Sequence, residues 1–556
     1  MVGAVSRAVM DVPGTVPAPP VEAPEGGATP EPVTSTEVRQ ATGIVYLVGA
    51  GPGDPGLITL RGVECLHHAD VVLYDYLANP ALLEHASPSA ELVPLGRKGS
   101  GRVYTPVEIT ERMLEEARSG RTVVRLKGGD PSIFGRGADE TAALREAGVP
   151  FEIVPGITSG LALAAYCELP ITQQDDASAV ALVTGRERDD KTTSCLDYDS
   201  LASFPGTLIF YMGVGRCAKW SAELLAHGRS PDTPVAIVRQ CTRADQGLVR
   251  CTLATVAEVV KARGVRPPAL FVVGDVVERA PDVSWFTARP LFGTRVLVPG
   301  SRATSTRLAG RLAGLGADMV VSPVLRISAP ADWSAVDAAV DRIHEYDWLV
   351  FSSQSGVDHF LGRLFARGGD ARRLGRARIA ALGSTTANRL RQWGLRADLV
   401  PEESVVDSLA NMLLEHARGR WVLLIQANRG REALARALEE GGARLECVAA
   451  YESTDELVPD PEVAAALAAG EIQWVAVTSG ATARALARLY GDGLRRPRLA
   501  SIGPVTSAAL KELGYLPAAE ASSHTANGLA EAILEAERAS GTRARGARPP
   551  TERSSV

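Results

Sequence analysis

From Gly43 onward the chain repeats one pattern: a short run of β-branched and other apolar residues, a turn, then a longer stretch with apolar positions at helical spacing. The runs IVYLVGA, DVVLYD, TVVRLKGG, VALVTG, TLIFYMGV, TPVAIVRQ and ALFVVGDVV are apolar on both alternations, so they predict strands buried on both faces between helices. This is α/β patterning. Near Ala280 to Phe292 it breaks at a proline-bearing connector, RAPDVSWFTARPLFG, and a new strand begins at Thr294. A domain boundary is expected there.

The second half repeats itself. GTRVLVPGSRATSTRLAGRLAGLGADMVVSPVLRIS resembles GRWVLLIQANRGREALARALEEGGARLECVAAYEST, which sets Val296 against Val422, 126 residues on. YDWLVFSSQSGVDHFLGRL then pairs with IQWVAVTSGATARALARL, and RIAALGSTTANRLRQWGLRADLV with RLASIGPVTSAALKELGYLPAAE, where a short deletion brings the offset to 120. Two such units imply two lobes, and the interface between like lobes is a common place for a ligand cleft.

With 556 residues the chain exceeds one hydrophobic core, and 46% hydrophobic residues supply ample material for several. A formal net charge of −6 argues against nucleic acid while leaving room for a local basic cleft. The seven cysteines show no C-x-x-C or Cys/His cluster, so no disulfide framework and no metal site is expected, and the thiols suit a reducing cytoplasm. No apolar run approaches the roughly 18 to 20 residues of a membrane span. The expected organisation is a disordered leader at 1–42, folded domains at 43–285 and 291–538, and a disordered tail at 539–556.

Two glycine-rich turns follow strands in the first half: VGAGPGDPG, Val48 to Gly56, and KGGDPSIFGRG, Lys127 to Gly137. Glycine lets bare backbone approach a ligand that a Cβ would block. The first turn lacks the third glycine of a dinucleotide fingerprint and carries Pro52 and Pro55, and no Gly-Lys-Ser/Thr follows either turn, so neither nucleotide motif fits.

VGAGPGDPGLITLRGVECLHHADVVLYD, VVRLKGGDPSIFGRG, VPGITSGLALAAYCELPIT, TLIFYMGV and PPALFVVGDVV, in that order, resemble the tetrapyrrole methylases, and among them uroporphyrinogen-III C-methyltransferase, over about Gly43 to Arg279. The resemblance implies two α/β lobes with S-adenosylmethionine between them. It places Pro52, Gly128, Gly129, Asp130, Ile133, Thr158, Ser159, Met212 and Cys241 at the cofactor, Cys241 standing where the family usually has Gly. It makes Asp75 the base that takes a pyrrole proton, and puts Arg97 and Lys98 at the acid position, with the family's usual Lys-Arg order reversed. Arg102, Arg125, Lys127 and Arg136 become candidate clamps for a polycarboxylate substrate. Further departures are Arg102 for a usual His, Pro106 for a usual Gln and Gln174 for a usual Arg. Plainer readings stand beside these: core packing for Met212, a cap or turn for Asp75, solvated surface for each cation.

In the second half YDWLVFSSQSGV, RIAALGSTTANRL, AAYEST and ASIGPVTSAAL resemble uroporphyrinogen-III synthase, covering about Leu291 to Glu535. The resemblance implies two further α/β lobes between which the chain crosses twice, so lobes need not coincide with repeat units. It offers Tyr451 to assist departure of the substrate hydroxyl, and Ser353, Ser355, Thr386, Ser479 and Thr506 to bind carboxylates. Read alone, the small hydroxyl residues are helix caps and Tyr451 a half-buried strand aromatic.

The expected fold is thus a two-lobed methylase followed by a two-lobed synthase-like α/β domain. The implied function is bifunctional: hydroxymethylbilane is cyclised to uroporphyrinogen III, which is methylated twice to precorrin-2. The alternatives are a later corrin-pathway methylase in the first half, or a catalytically silent tetrapyrrole-binding module in the second. Partners are expected to be small tetrapyrroles, without nucleic acid or membrane, in a homodimer formed through the methylase.

Overall fold

The computed structural model describes residues 42–87, 89–96, 103–187, 195–300, 302–401, 406–430 and 432–540. The expected leader up to residue 41 and tail from 541, together with Arg97, Lys98 and Arg102, lie outside the described residues.

In the first half, five strands come first: β1 (Val45–Gly49), β2 (Val71–Tyr74), β3 (Glu91–Pro94), β4 (Val123–Lys127) and β5 (Phe151–Val154). They form an all-parallel sheet in the order β3-β2-β4-β1-β5. Both of its faces are covered. Val45, Leu47, Val71, Leu73 and Val123 pack with Met113, Ala117 and Leu144, while Val48, Val72, Val124 and Leu126 pack with Cys65, Leu66 and Leu82. This is the burial that the unbroken apolar runs predict. The helix Pro106–Arg118 begins with a capping box in which Thr105 accepts the Glu108 N–H and Glu108 accepts the Thr105 N–H. Pro106 occupies its first position, where the missing N–H costs nothing, so that departure is accommodated locally.

The next five strands are β6 (Val180–Thr184), β7 (Thr207–Tyr211), β8 (Pro234–Arg239), β9 (Gly247–Thr252) and β10 (Ala269–Val273). Their order is β6-β7-β10-β8-β9, with one parallel contact and three antiparallel ones. The parallel sheet that an alternating pattern suggests does not form here, because β8 and β9 are joined by a short loop with no helix to carry a crossover. Across the connector, Phe286 packs edge-on to Tyr166 at 4.7 Å within the first half's core, and Leu291 is buried in that of the second half.

The second half contributes β11 (Arg295–Pro299), β12 (Asp318–Ser322), β13 (Leu325–Ser328), β14 (Trp348–Phe351), β15 (Arg378–Ala381), β16 (Trp421–Ala427), β17 (Arg444–Asp455), β18 (Trp474–Val477), β19 (Arg498–Ser501) and β20 (Pro517–Glu520). One sheet runs β12-β11-β18-β19-β20, the other β13-β17-β16-β14-β15. Each sheet mixes strands of both repeat units, so the chain crosses twice between lobes. The symmetry extends to register: Val296 pairs with Trp474 in one sheet and the equivalent Val422 pairs with Trp348 in the other.

Candidate active sites

In the first half the loops after β1, β4, β5 and β7 meet. Gly51 and Gly129 exchange N–H···O=C bonds of 3.2 and 2.8 Å, joining the two glycine-rich turns. Gly49 and Gly156 pack backbone to backbone, and a Cβ on Gly49 would lie 2.5 Å from the Gly156 Cα. Glycine is therefore a steric requirement there. Gly129 stands at φ +72°, a conformation that favours glycine, and a Cβ there would meet only the Thr158 Cα, at 3.9 Å. Asp130 ties the assembly together: its Oδ1 accepts the Ser132 N–H at 2.7 Å and its Oδ2 the Gly156 N–H at 2.9 Å. The carboxylate thus serves the loop backbone, and Asp130 acts by shaping the turn.

The opposite wall comes from the second sheet. Tyr211, at the end of β7, shares a 2.9 Å hydrogen bond with Thr158 Oγ1 and accepts the Gly160 N–H at 2.8 Å. Met212 follows at φ +54° and stays half exposed, which excludes the core-packing reading. Phe134, Arg136, Gln240 and Thr242 also hold positive φ without being glycine. Such strain gathers where function over-determines the backbone. Thr242 Oγ1 accepts the Asp54 N–H at 2.9 Å, and the Tyr166 hydroxyl donates to Asp54 at 2.8 Å, so the GPGDPG turn is anchored on the second lobe. Pro52 and Ser159 are half-buried, Thr158 is buried, and Ile133 leans on the second-lobe core. Cys241 is buried beside Cys167, whose thiol, together with burial, pushes the Cys241 thiol well up.

Asp75 follows β2, and its Oδ1 accepts Arg125 Nη2 at 2.7 Å. Arg125 and Lys127, expected as substrate clamps, do other work. Each is 3% exposed, and both donate to Glu140, at 3.1 and 2.7 Å. They lie on β4, the central strand of a sheet covered on both faces, where no substrate carboxylate can reach a free cation. Arg136 is exposed at the start of the helix Gly137–Glu146.

In the second half four helices begin at the carboxyl ends of parallel strands, the edge at which α/β sheets bind ligands. Ser353 caps Gln354–Ala366 by accepting the Gly356 N–H at 3.0 Å, and Ser479 caps Gly480–Tyr490 by accepting the Thr482 N–H at 3.1 Å. Gly383 and Gly503 occupy the corresponding positions before Ser384–Gln392 and Pro504–Glu512. Thr386 and Thr506 lie buried in the first turns of those helices, and Ser355 offers its carbonyl to His359 Nδ1 at 2.8 Å. Tyr451, on β17, is buried, stacks on His359 at 5.8 Å and accepts the Ser353 hydroxyl at 2.9 Å. Burial pushes the phenol up, outweighing the Ser353 hydrogen bond, so Tyr451 keeps its proton at neutral pH.

Residues 44–257 match the family model described as Tetrapyrrole (Corrin/Porphyrin) Methylases, and residues 306–531 the one described as Uroporphyrinogen-III synthase HemD. A porphyrin biosynthesis protein HemD of Ruminiclostridium josui is 33% identical over 441 residues, which are 79% of this chain and 87% of that protein. The chain belongs to the tetrapyrrole methylases and, in its second half, to the uroporphyrinogen-III synthases. The methylase half is also 45% identical over 235 residues, 42% of this chain, to an S-adenosyl-L-methionine-dependent uroporphyrinogen III methyltransferase of Methanosarcina barkeri, 92% of which is covered. A Thermus thermophilus uroporphyrin-III C-methyl transferase solved with S-adenyl homocysteine is 42% identical, covering 42% of this chain and 99% of that one with a TM-score of 0.36.

Sequence reasoning missed Glu140 and Tyr211 in the methylase half, and His359 and Asp455 in the synthase half. Glu140 reads as one more charge in the helical stretch ADETAALREAG. Tyr211 was visible as the residue before Met212, and its role needed the geometry.

Proposed function

We propose that this protein closes hydroxymethylbilane to uroporphyrinogen III in its second half and methylates that product twice from S-adenosylmethionine in its first, giving precorrin-2. The observation carrying this reading is that two consecutive families of one biosynthetic chemistry occupy one chain, each folded as its own pair of sheets. Fusion of sequential activities follows naturally.

The methylase half suits its cofactor. The Gly51–Gly129 pair joins the two glycine-rich turns into one wall, and Met212 presents a soft apolar surface suited to an adenine ring. S-adenosylmethionine would supply the electrophilic methyl group there. Asp75 takes the proton released by the substrate pyrrole as its carbon forms the new bond, and Arg125 holds the carboxylate ready. Arg136 is the described exposed cation of the glycine-rich turn suited to a substrate carboxylate.

In the synthase half Tyr451 gives its phenol proton to the departing hydroxyl, and Ser353 steadies the phenol oxygen. The helix N-termini that follow Ser353, Gly383, Ser479 and Gly503 would face the bound carboxylates, and at Gly383 and Gly503 no side chain caps the first turn. The reading extends to a cytoplasmic homodimer joined through the methylase half. No described helix is long and apolar enough to cross a membrane.

Hydroxymethylbilane and S-adenosylmethionine, supplied together to the full chain, test both halves. A dimethylated type III product, identified by mass and absorption, is expected. Unmethylated product would overturn the first assignment, and type I isomer alone would overturn the second.

A further inference from the structure

β4 is an unusual place for two cations. It is the central strand of the all-parallel sheet, its apolar members Val123, Val124 and Leu126 are fully buried, and yet Arg125 and Lys127 are each only 3% exposed. Two residues apart on a strand, they share a face. Glu140, 8% exposed in the helix Gly137–Glu146, receives Arg125 Nε on Oε1 at 3.1 Å and Lys127 Nζ on Oε2 at 2.7 Å. The remaining Arg125 nitrogens donate to the Leu126 carbonyl at 3.3 Å and to Asp75 Oδ1 at 2.7 Å. Asp75 is the member that reaches solvent, its side chain being 30% exposed. Buried ion clusters of this kind are poor value as stabilisers, since apolar residues of similar volume do as well. The arrangement makes sense as a mount for the group at its open end.

We propose that Glu140 is a positioning residue for methyl transfer: it fixes Arg125 and Lys127 beneath the Asp75 carboxylate and sets the charge balance against which that carboxylate accepts a proton. The inference rests on Asp75 being the base. With all four groups ionised the cluster is neutral, and it becomes singly positive when Asp75 takes its proton. Among the described residues, the titratable groups packed toward Asp75 are Arg125 and Lys127 from β4 and Glu140 from the helix, with the exposed Tyr76 beside it in sequence. Burial, reinforced by Arg125, pushes the Lys127 ammonium down, and Glu140 opposes this. Glu140→Gln leaves the cluster one charge too positive and makes Asp75 a weaker base. Lys127→Met leaves it one charge too negative and makes Asp75 a stronger one. A side chain needed only for packing has no reason to produce opposite signs.

The test measures initial rates of uroporphyrinogen III methylation by the full chain across pH for Glu140→Gln, Lys127→Met, the double variant and Asp75→Asn. Glu140→Gln is expected to lower kcat about tenfold to a hundredfold with KM for both substrates nearly unchanged. Its acid limb should move to lower pH by about one unit. Lys127→Met should move that limb to higher pH, and the double variant, neutral again, should return it close to the parent. If Glu140→Gln does not fold, the Lys127→Met shift and its reversal in the double variant decide. Limbs that stay put or move together, while Asp75→Asn is inactive, would overturn the role of Glu140. Substantial turnover by Asp75→Asn would instead overturn the assignment of the base.

Discussion

The Ser353 hydroxyl donates to the Tyr451 phenol oxygen at 2.9 Å while the Ser353 oxygen accepts the Gly356 N–H at 3.0 Å. A helix cap is thereby coupled to an aromatic side chain on β17, and the phenol proton remains available to another acceptor. Because burial raises the phenol, neutral pH leaves that proton in place.

Tyr451→Phe should therefore lower type III ring closure by about a hundredfold or more, as for loss of a general acid. The buried ring is retained, and losing the Ser353 hydrogen bond should cost only about 1 kcal/mol of stability. Isomer-resolved chromatography of the products, with a thermal melt of the same preparation, checks both. A variant as fast as the parent would remove Tyr451 from the chemistry.

Asp130 bonds two backbone N–H groups on separate loops, Ser132 and Gly156. Asp130→Ala leaves both without that acceptor, at roughly 1 to 3 kcal/mol for each that stays buried. The Gly129 turn is then no longer tied to the β5 loop. Calorimetric titration with S-adenosylhomocysteine should show affinity lower by at least about tenfold. Asp130→Asn retains one acceptor oxygen and should fall between. If the two variants bind equally well, the tie does not shape the cofactor site.

Met212 stands at φ +54° and half exposed, a combination that a folded chain seldom keeps for packing alone. Met212→Gly removes the conformational strain, worth roughly 1 kcal/mol, along with the thioether surface. The expected outcome is a higher melting temperature with weaker cofactor binding. Met212→Ala keeps the strain and loses the surface, so it should weaken binding without the stabilisation.

How much of this was legible in the sequence depends on the range of the interaction. Val296 and Val422 could be equated by eye, and their reciprocal pairings with Trp474 and Trp348 follow from that repeat. The glycine turns announced bare backbone, and Gly51 and Gly129 do meet. Arg125 and Lys127 misled because cations beside a glycine-rich turn suggest clamps for substrate carboxylates, whereas the order β3-β2-β4-β1-β5 places them at the sheet's centre. Their partner Glu140 lies beyond the glycine-rich turn, at the start of the next helix, and periodicity does not reveal which side chains a helix presents to which strand. The antiparallel β8–β9 pair escaped because its loop is rich in polar residues rather than in the Asn-Gly or Asp-Gly of a tight hairpin.

Asp455 closes the second half between its lobes. It ends β17 and pairs with Arg429, just beyond β16, at 3.0 Å and with Arg488, on the helix Gly480–Tyr490 over the other sheet, at 2.6 Å. Burial alone would raise the Asp455 carboxyl, but the two guanidiniums outweigh it and hold the group below its ordinary range. The folded value therefore lies below the unfolded one of about 3.9, so the stabilisation is complete above that pH and disappears as pH falls through the folded value. Both arginines are half exposed, which limits the tie to about 1 kcal/mol. The melting temperature of Asp455→Asn should lie below the parent's at neutral pH, and the gap should close as the pH falls below the unfolded carboxyl's value and narrow in high salt. The crossing segment just beyond, with Leu457 82% and Val458 79% exposed, should be cut faster by chymotrypsin in the variant. A gap constant from neutral to acid pH would show that the carboxylate's charge is not what joins the lobes.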